Sequence, residues 1–191
     1  MQDIQKRFNK VAQNMQLLYT TTDETIVHPN ISGYEKNKVT CNVYYNGIGR
    51  MIFQDEITEI PIRFLTGCPN LKSIIIPPSC KLIENGAFNW CKNLEKVKLN
   101  EGLRIIGGGA FQGTGIKCIS IPSSCFLISD KALFKTPLKY LNLKEPSTEC
   151  RYFESYAVGR RVKVDGLSDY DYFHPDTFGR EEEEEEDKLP F

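Results

Sequence analysis

A chain of 191 residues is long enough to close a hydrophobic core without disulfides or metal. Its 40% hydrophobic and 26% charged residues are ordinary for a soluble protein, and no apolar run approaches the roughly 20 residues of a membrane helix. The net charge of -1 hides a division: Glu181 to Asp187 carries seven negative charges, and setting that run aside with Lys188 leaves 23 basic against 18 acidic residues over 1–180, too mild and mixed an excess for a nucleic-acid surface.

The opening MQDIQKRFNKVAQ has no continuous apolar stretch behind its charges and no small-residue cleavage site, so no secretory signal is expected. Residues 3–18 place Ile4, Phe8, Val11, Ala12, Met15 and Leu18 at helical spacing and predict an N-terminal helix. KVTCNVYY, over 38–45, has the β-branched and aromatic content of a strand running into an Asn46–Gly47 turn. Residues 1–47 are therefore expected to form an N-terminal cap.

From residue 48 the chain repeats itself. Ile60, Ile83, Ile106 and Ile128 are separated by 23, 23 and 22 residues, as are Leu65, Phe88, Phe111 and Leu133. Three further columns recur at 23, 22 and 22: Leu71, Leu94, Ile116 and Leu138; Ile74, Val97, Ile119 and Leu141; Ile76, Leu99, Ile121 and Leu143. A unit of about 22 residues cannot close its own core and must bury its apolar edge against the units above and below, which predicts a solenoid. Within each unit L-x-x-[IV]-x-[IL], as in LEKVKL, suits a short strand with Val97 and Leu99 inward and Lys98 outward, stacked in parallel. The pairs Ala87-Phe88 and Ala110-Phe111 predict a turn of helix or 3-10 helix on the opposite side. Gly86, Gly107 to Gly109 and Gly113 let the chain bend between the two.

Incomplete units flank the array. Ile48, Met51, Phe53 and Ile57 lie 23 residues before Leu71, Ile74, Ile76 and Cys80, and predict a strand and turn preceding the first full unit. Val162 and Val164 come 21 residues after Leu141 and Leu143, with Phe153 near the Phe column, and predict a degenerate last coil. The expected solenoid spans 48–164, with an aromatic C-terminal cap over 165–180 and an acidic disordered tail over 181–191.

IENGAFNWCKNLEKVKL, residues 83–99, carries every position of I-x-x-x-A-F-x-x-C-x-x-L-x-x-[IV]-x-[IL], and IPPSC and IPSSC supply the proline and serine that complete it. The pattern resembles the BspA-like, or Treponema pallidum type, leucine-rich repeat. LYTTTDETIV and NVYYNGIGRMIFQDEITEI are similar to the lead-in of short repeat proteins from gut Bacteroidetes and their phages. The resemblance implies an α/β leucine-rich-repeat solenoid whose exposed face binds protein, as in adhesins and surface proteins.

Several motifs read as architecture. Cys68 and Cys91 share one column and Cys80, Leu103 and Cys125 another, so the cysteines are expected to pack as buried apolar residues in a reducing compartment. Parallel stacked Cβ vectors give poor disulfide torsion. No C-x-x-C pair exists, and His28 and His174 are far apart, so no metal site is expected. GGGAFQG, over 107–113, lacks the Lys-Ser/Thr of a phosphate loop and falls on the repeat's own turn. No nucleophile stands with a base, so neither catalysis nor a cofactor is expected. The sequon NIS at 30–32 has no meaning without secretion.

The remaining candidate is the outward strip of the strand ladder: Ile52, Ile75, Lys98, Ser120 and Asn142, beside Arg50, Ser73, Lys96, Cys118 and Tyr140. Ile52 and Ile75 are expected side by side as an apolar anchor. The functional expectation is a non-enzymatic protein-interaction module with a protein partner, no nucleic acid and no membrane insertion. A structural or virion component packed on another subunit is the alternative, and an enzyme with chemistry in its termini a more distant one. The expected location is cytoplasmic, with a virion or non-classically exposed surface the alternative.

Overall fold

The computed structural model describes residues 13–30 and 38–143, together with the backbone of two further strands, Tyr152–Phe153 and Lys163–Asp165. The predicted C-terminal cap, the acidic tail, the first part of the N-terminal helix and Ile31-Ser32 of the sequon lie outside the described residues.

The repeat columns are the core. Of the twenty positions in the five columns, all but Val97 and Leu99 are buried, and those two are half-buried against the same cluster. The predicted strands are present as β5 (Leu71–Ile75), β7 (Lys96–Lys98), β9 (Cys118–Ile121) and β11 (Tyr140–Leu143). β5 pairs β7, and β9 pairs β11, in parallel and in the register of the columns, with Ile74 on Val97 and Ile119 on Leu141. A second parallel ladder of two-residue strands runs through the Ile60 column: β4 (Glu59–Ile60), β6 (Leu82–Ile83), β8 (Ile105–Ile106) and β10 (Leu127–Ile128). Two residues are too few for alternation to register in a sequence.

The opposite side of each coil is built from consecutive β-turns. Phe64 donates to the Pro61 carbonyl and Cys68 to Leu65, and the same i to i+3 bonds recur as Ala87 to Glu84 and Cys91 to Phe88, then Ala110 to Gly107 and Thr114 to Phe111. The third residue of each turn has positive φ, giving two columns of left-handed residues: Arg63, Gly86, Gly109 and Lys131, then Gly67, Trp90, Gly113 and Lys135. A left-handed residue every fourth position is incompatible with the predicted helical turn. The amides of these segments bond to the next coil instead, Leu65 to Ala87, Phe88 to Ala110 and Phe111 to Ala132, each within 2.7–2.8 Å. Phe88 and Phe111 stack one above the other with ring centroids 5.3 Å apart and 9° between planes.

The N-terminal cap departs from expectation. Residues 16–18 of the predicted helix belong to a strand, β1 (Gln16–Thr21), which alternates strictly with Leu17, Tyr19 and Thr21 buried. Gln13–Met15 form only a 3-10 turn. β2 (Val39–Tyr45) and β3 (Ile48–Phe53) make the predicted hairpin through Asn46 and Gly47, both at positive φ as a two-residue turn requires. β1 then inserts between β3 and β5, antiparallel to both, so the sheet order is β2-β3-β1-β5-β7. β3 is thus not the first coil of the parallel ladder, although its spacing matched; β5 is. Period-two burial outweighed the helical spacing because β1 closes the open edge of β5. Tyr19 fixes the insertion: its ring lies over Gly49, where a Cβ would come within 2.1 Å, and its hydroxyl donates to Asn42 Oδ1 at 2.7 Å.

At the far end, Tyr152–Phe153 (β12) and Lys163–Asp165 (β13) extend the two ladders. Val164 pairs with Leu141, and Phe153 falls on the Ile128 column rather than the Phe column. The degenerate coil is therefore present, with a register shifted by two residues from the spacing of 21. Midway, β7 and β9 belong to different sheets among the described residues. The break lies beside Gly115, whose Cβ would sit 2.6 Å from the Lys92 carbonyl oxygen, where the repeat shortens from 23 to 22. Val97 and Leu99, on and just after β7 beside this break, are half-buried against the core cluster.

Two glycines of the left-handed columns separate conformation from space. Gly86 has φ +64° and an added Cβ would meet only ordinary contacts, so Gly86→Ala should cost roughly 1 kcal/mol. Gly113 has φ +67° and lies under Trp90, 2.6 Å from where a Cβ would fall, so Gly113→Ala should cost roughly 3 kcal/mol. Urea denaturation of both variants measures the difference; equal losses would contradict the packing of Trp90 on Gly113.

Candidate interaction surface

The insertion of β1 redraws the strip. Gln16 stands opposite Ile52, while Leu18 stands opposite both Arg50 and Ile75. Ile52 and Ile75 are therefore not neighbours, and the predicted isoleucine pair does not exist. One outward row runs Val43, Arg50, Leu18, Ile75, Lys98; the next runs Tyr45, Ile48, Thr20, Ser73, Lys96. Thr20 and Ser73 hydroxyls bond across it at 2.7 Å. Ile52 belongs to a third row with Cys41 and Gln16. Beyond the sheet break the columns continue as Ser120 with Asn142 and Cys118 with Tyr140, in register on β9 and β11.

Of the predicted residues, Ile75, Lys96, Lys98, Ser120, Tyr140 and Asn142 are exposed, and Arg50, Ile52 and Ser73 are half-buried. Sequence reasoning missed Leu18, Tyr45 and Ile48. Leu18 was hidden in a helical spacing, and the other two sit in a hairpin whose facing could not be known without β1. Among the described residues seven large apolar side chains are exposed, and four of them, Tyr45, Ile48, Ile75 and Tyr140, lie on this face. It is therefore apolar at the cap end, basic at Lys96 and Lys98, and polar with one aromatic at the far end.

The turn side carries a shallow open trough lined by Arg63, Asn85, Asn89, Gln112, Asp130 and Lys131. The glycines of GGGAFQG, two of which line it, do not form an anion cradle. Gly107 donates to the Ile83 carbonyl, Gly108 to Asn85 Oδ1, Gly109 to the Asp130 carbonyl and Gly113 to the Phe134 carbonyl, all within 3.0 Å, so these N–H groups are already used. Gly107 is required by contact, since its Cβ would fall 2.8 Å from the Asn85 nitrogen.

These coils, with a parallel ladder on one side and turns on the other, match a known repeat. The model of the BspA type leucine rich repeat region fits residues 37–159 in six copies. The chain belongs to this family. No curated protein and no solved structure gives a significant match. The BspA-type match begins at the β2–β3 hairpin, where the periodicity persists although β1 separates that hairpin from the first coil in space.

The cysteines of the BspA-type columns are packing residues. Cys68 and Cys91 are thiols, donating to Asn70 Oδ1 at 3.1 Å and to the Leu65 carbonyl at 2.8 Å. Cys80 and Cys125 each direct the thiol to the carbonyl two residues on. Burial pushes the Cys80 and Cys91 thiols up to about 12. A thiol whose pKa is raised on folding stabilises the fold fully below its unfolded value near 9, and that contribution is lost as pH climbs toward 12. Stability should therefore fall above about pH 9 by on the order of 1 kcal/mol per pH unit for each thiol. Cys91→Ala should flatten this slope in alkaline melts. Iodoacetamide at neutral pH should label exposed Cys118 while sparing Cys80 and Cys91; prior labelling of either buried thiol would contradict their placement.

Proposed function

We propose that this protein is a non-enzymatic protein-binding module whose partner docks across the strand face, from Tyr45, Ile48 and Leu18 through Ile75 to Tyr140. The observation that carries this reading is the concentration of exposed large apolar side chains on that face. Leucine-rich solenoids present such a strip as one continuous surface, because successive coils repeat the same outward positions. Ile75 and Tyr140, 41% and 53% exposed, are the anchors, with Lys96, Lys98, Ser120 and Asn142 as polar surroundings.

The test is quantitative capture of a binding partner by three proteins: wild type, the double variant Ile75→Glu/Tyr140→Ala, and the turn-side variant Asn89→Ala/Gln112→Ala. Ile75 and Tyr140 are exposed and Asn89 and Gln112 half-buried, so both variants should stay folded, with the turn-side pair lowering stability by no more than about 1 kcal/mol, as thermal melts would check. The strand-face variant should lose binding by about tenfold or more, as expected when two anchor side chains are removed, while the turn-side variant binds normally. Loss of binding in the turn-side variant alone would move the site to the trough. A stable homo-oligomer dissolved by the strand-face variant would replace the receptor reading with a structural one.

A further inference from the structure

The charge of the described residues is divided between the two sides of the solenoid. Residues 13–30 and 38–143 contain 13 Lys and Arg against 9 Asp and Glu. Three adjacent columns at and immediately before the strands, Lys72/Glu95/Lys117/Lys139, Ser73/Lys96/Cys118/Tyr140 and Ile75/Lys98/Ser120/Asn142, hold five of those bases and one of those acids. Over the rest of those residues, Arg50 of the strand face included, the count is eight against eight, so the positive excess lies in these three columns of the strand ladder. All five lysines are exposed. Among the described residues the ion pair formed is Lys131 with Asp130 on the turn side, at 4.0 Å, so none of the five has a carboxylate partner there.

The sequence also contains a matching anion, Glu181 to Asp187. We infer that this acidic run docks along the lysine columns of the strand face, running across the coils. The dimensions agree. Coils are about 4.8 Å apart, so the four that carry the lysines span about 15 Å, which five extended residues of the run cover. The last strand, β13, ends at Asp165, and the fifteen residues between it and Glu181 reach at most about 50 Å, well beyond the three coil spacings, about 15 Å, from β13 to β7. Exposed ion pairs are individually weak, but tethering makes their formation intramolecular, and several in register reinforce one another. The contact is therefore populated at low ionic strength and screened as the Debye length falls.

This inference rests on the strand face being the working surface, and it adds that the run guards that surface against other acidic chains. The test uses the full chain. Carbodiimide coupling at low ionic strength, with peptide mapping of the monomer, should join residues 181–187 to Lys96, Lys98, Lys117 and Lys139 several-fold more often than to Lys81, Lys131 and Lys135. About 0.5 M salt should abolish the preference. Links spread evenly over both sides, or found only in covalent dimers, would overturn the proposal. Independently, a labelled hexaglutamate peptide should bind several-fold more tightly to the full chain with Glu181 to Glu186 all changed to Gln than to wild type. Equal affinity, or no binding to either, would overturn it while leaving the Ile75/Tyr140 experiment free to report on the docking surface by itself.

Discussion

A coil of about 22 residues directs its backbone amides and carbonyls at its neighbours, and every other feature of this protein depends on how they are met. Buried amides left unpaired are costly, so coils must stack in a register that pairs them. Three bond systems run along the stack: the outer strands, the two-residue strands of the Ile60 column, and the β-turn segments, where Leu65, Phe88 and Phe111 each donate to the coil beyond. Once register is fixed, identical apolar residues meet one another, and Phe88 on Phe111 is the direct expression of it.

The same demand explains the ends. A first coil exposes the edge of its strand, which would template association with another chain. Here β1 pairs antiparallel with β5, turning the edge over to a hairpin sheet that carries its own inward residues, Tyr19, Met51 and Phe53. The consequence is that the outward face extends past the repeats. Val43, Tyr45, Ile48 and Leu18 join the strip that Ile75 opens, and the apolar end of the surface belongs as much to the cap as to the solenoid.

The periodic part of this arrangement was legible in the sequence. Columns such as Ile60/Ile83/Ile106/Ile128 identify inward positions with no knowledge of backbone conformation, because stacking forces equivalent residues to equivalent places. The β-turns were less legible: Ala-Phe pairs suit a helical turn, and the left-handed position is filled by Arg63, Trp90, Lys131 and Lys135 as well as by glycine. The cap was misread for a stronger reason. Met15 and Leu18 fit a helix, Leu17 and Tyr19 fit a strand, and the choice was made by the unpaired edge of β5, some fifty residues away. The Ile52–Ile75 error has the same origin, since the spacing of 23 is real but a strand from elsewhere in the chain occupies the gap.

The most direct test of a stack held by coil-to-coil bonding is native-state hydrogen exchange of the turn amides. Leu65, Gly67, Phe88, Trp90, Phe111 and Gly113 each donate to the next coil at 2.9 Å or less. Bonding of this kind predicts that they exchange as slowly as Ile74 and Ile119 in the strands, through opening of the stack as a unit. Exchange of these six at the rate of exposed loop amides, with protection confined to the strands, would contradict it.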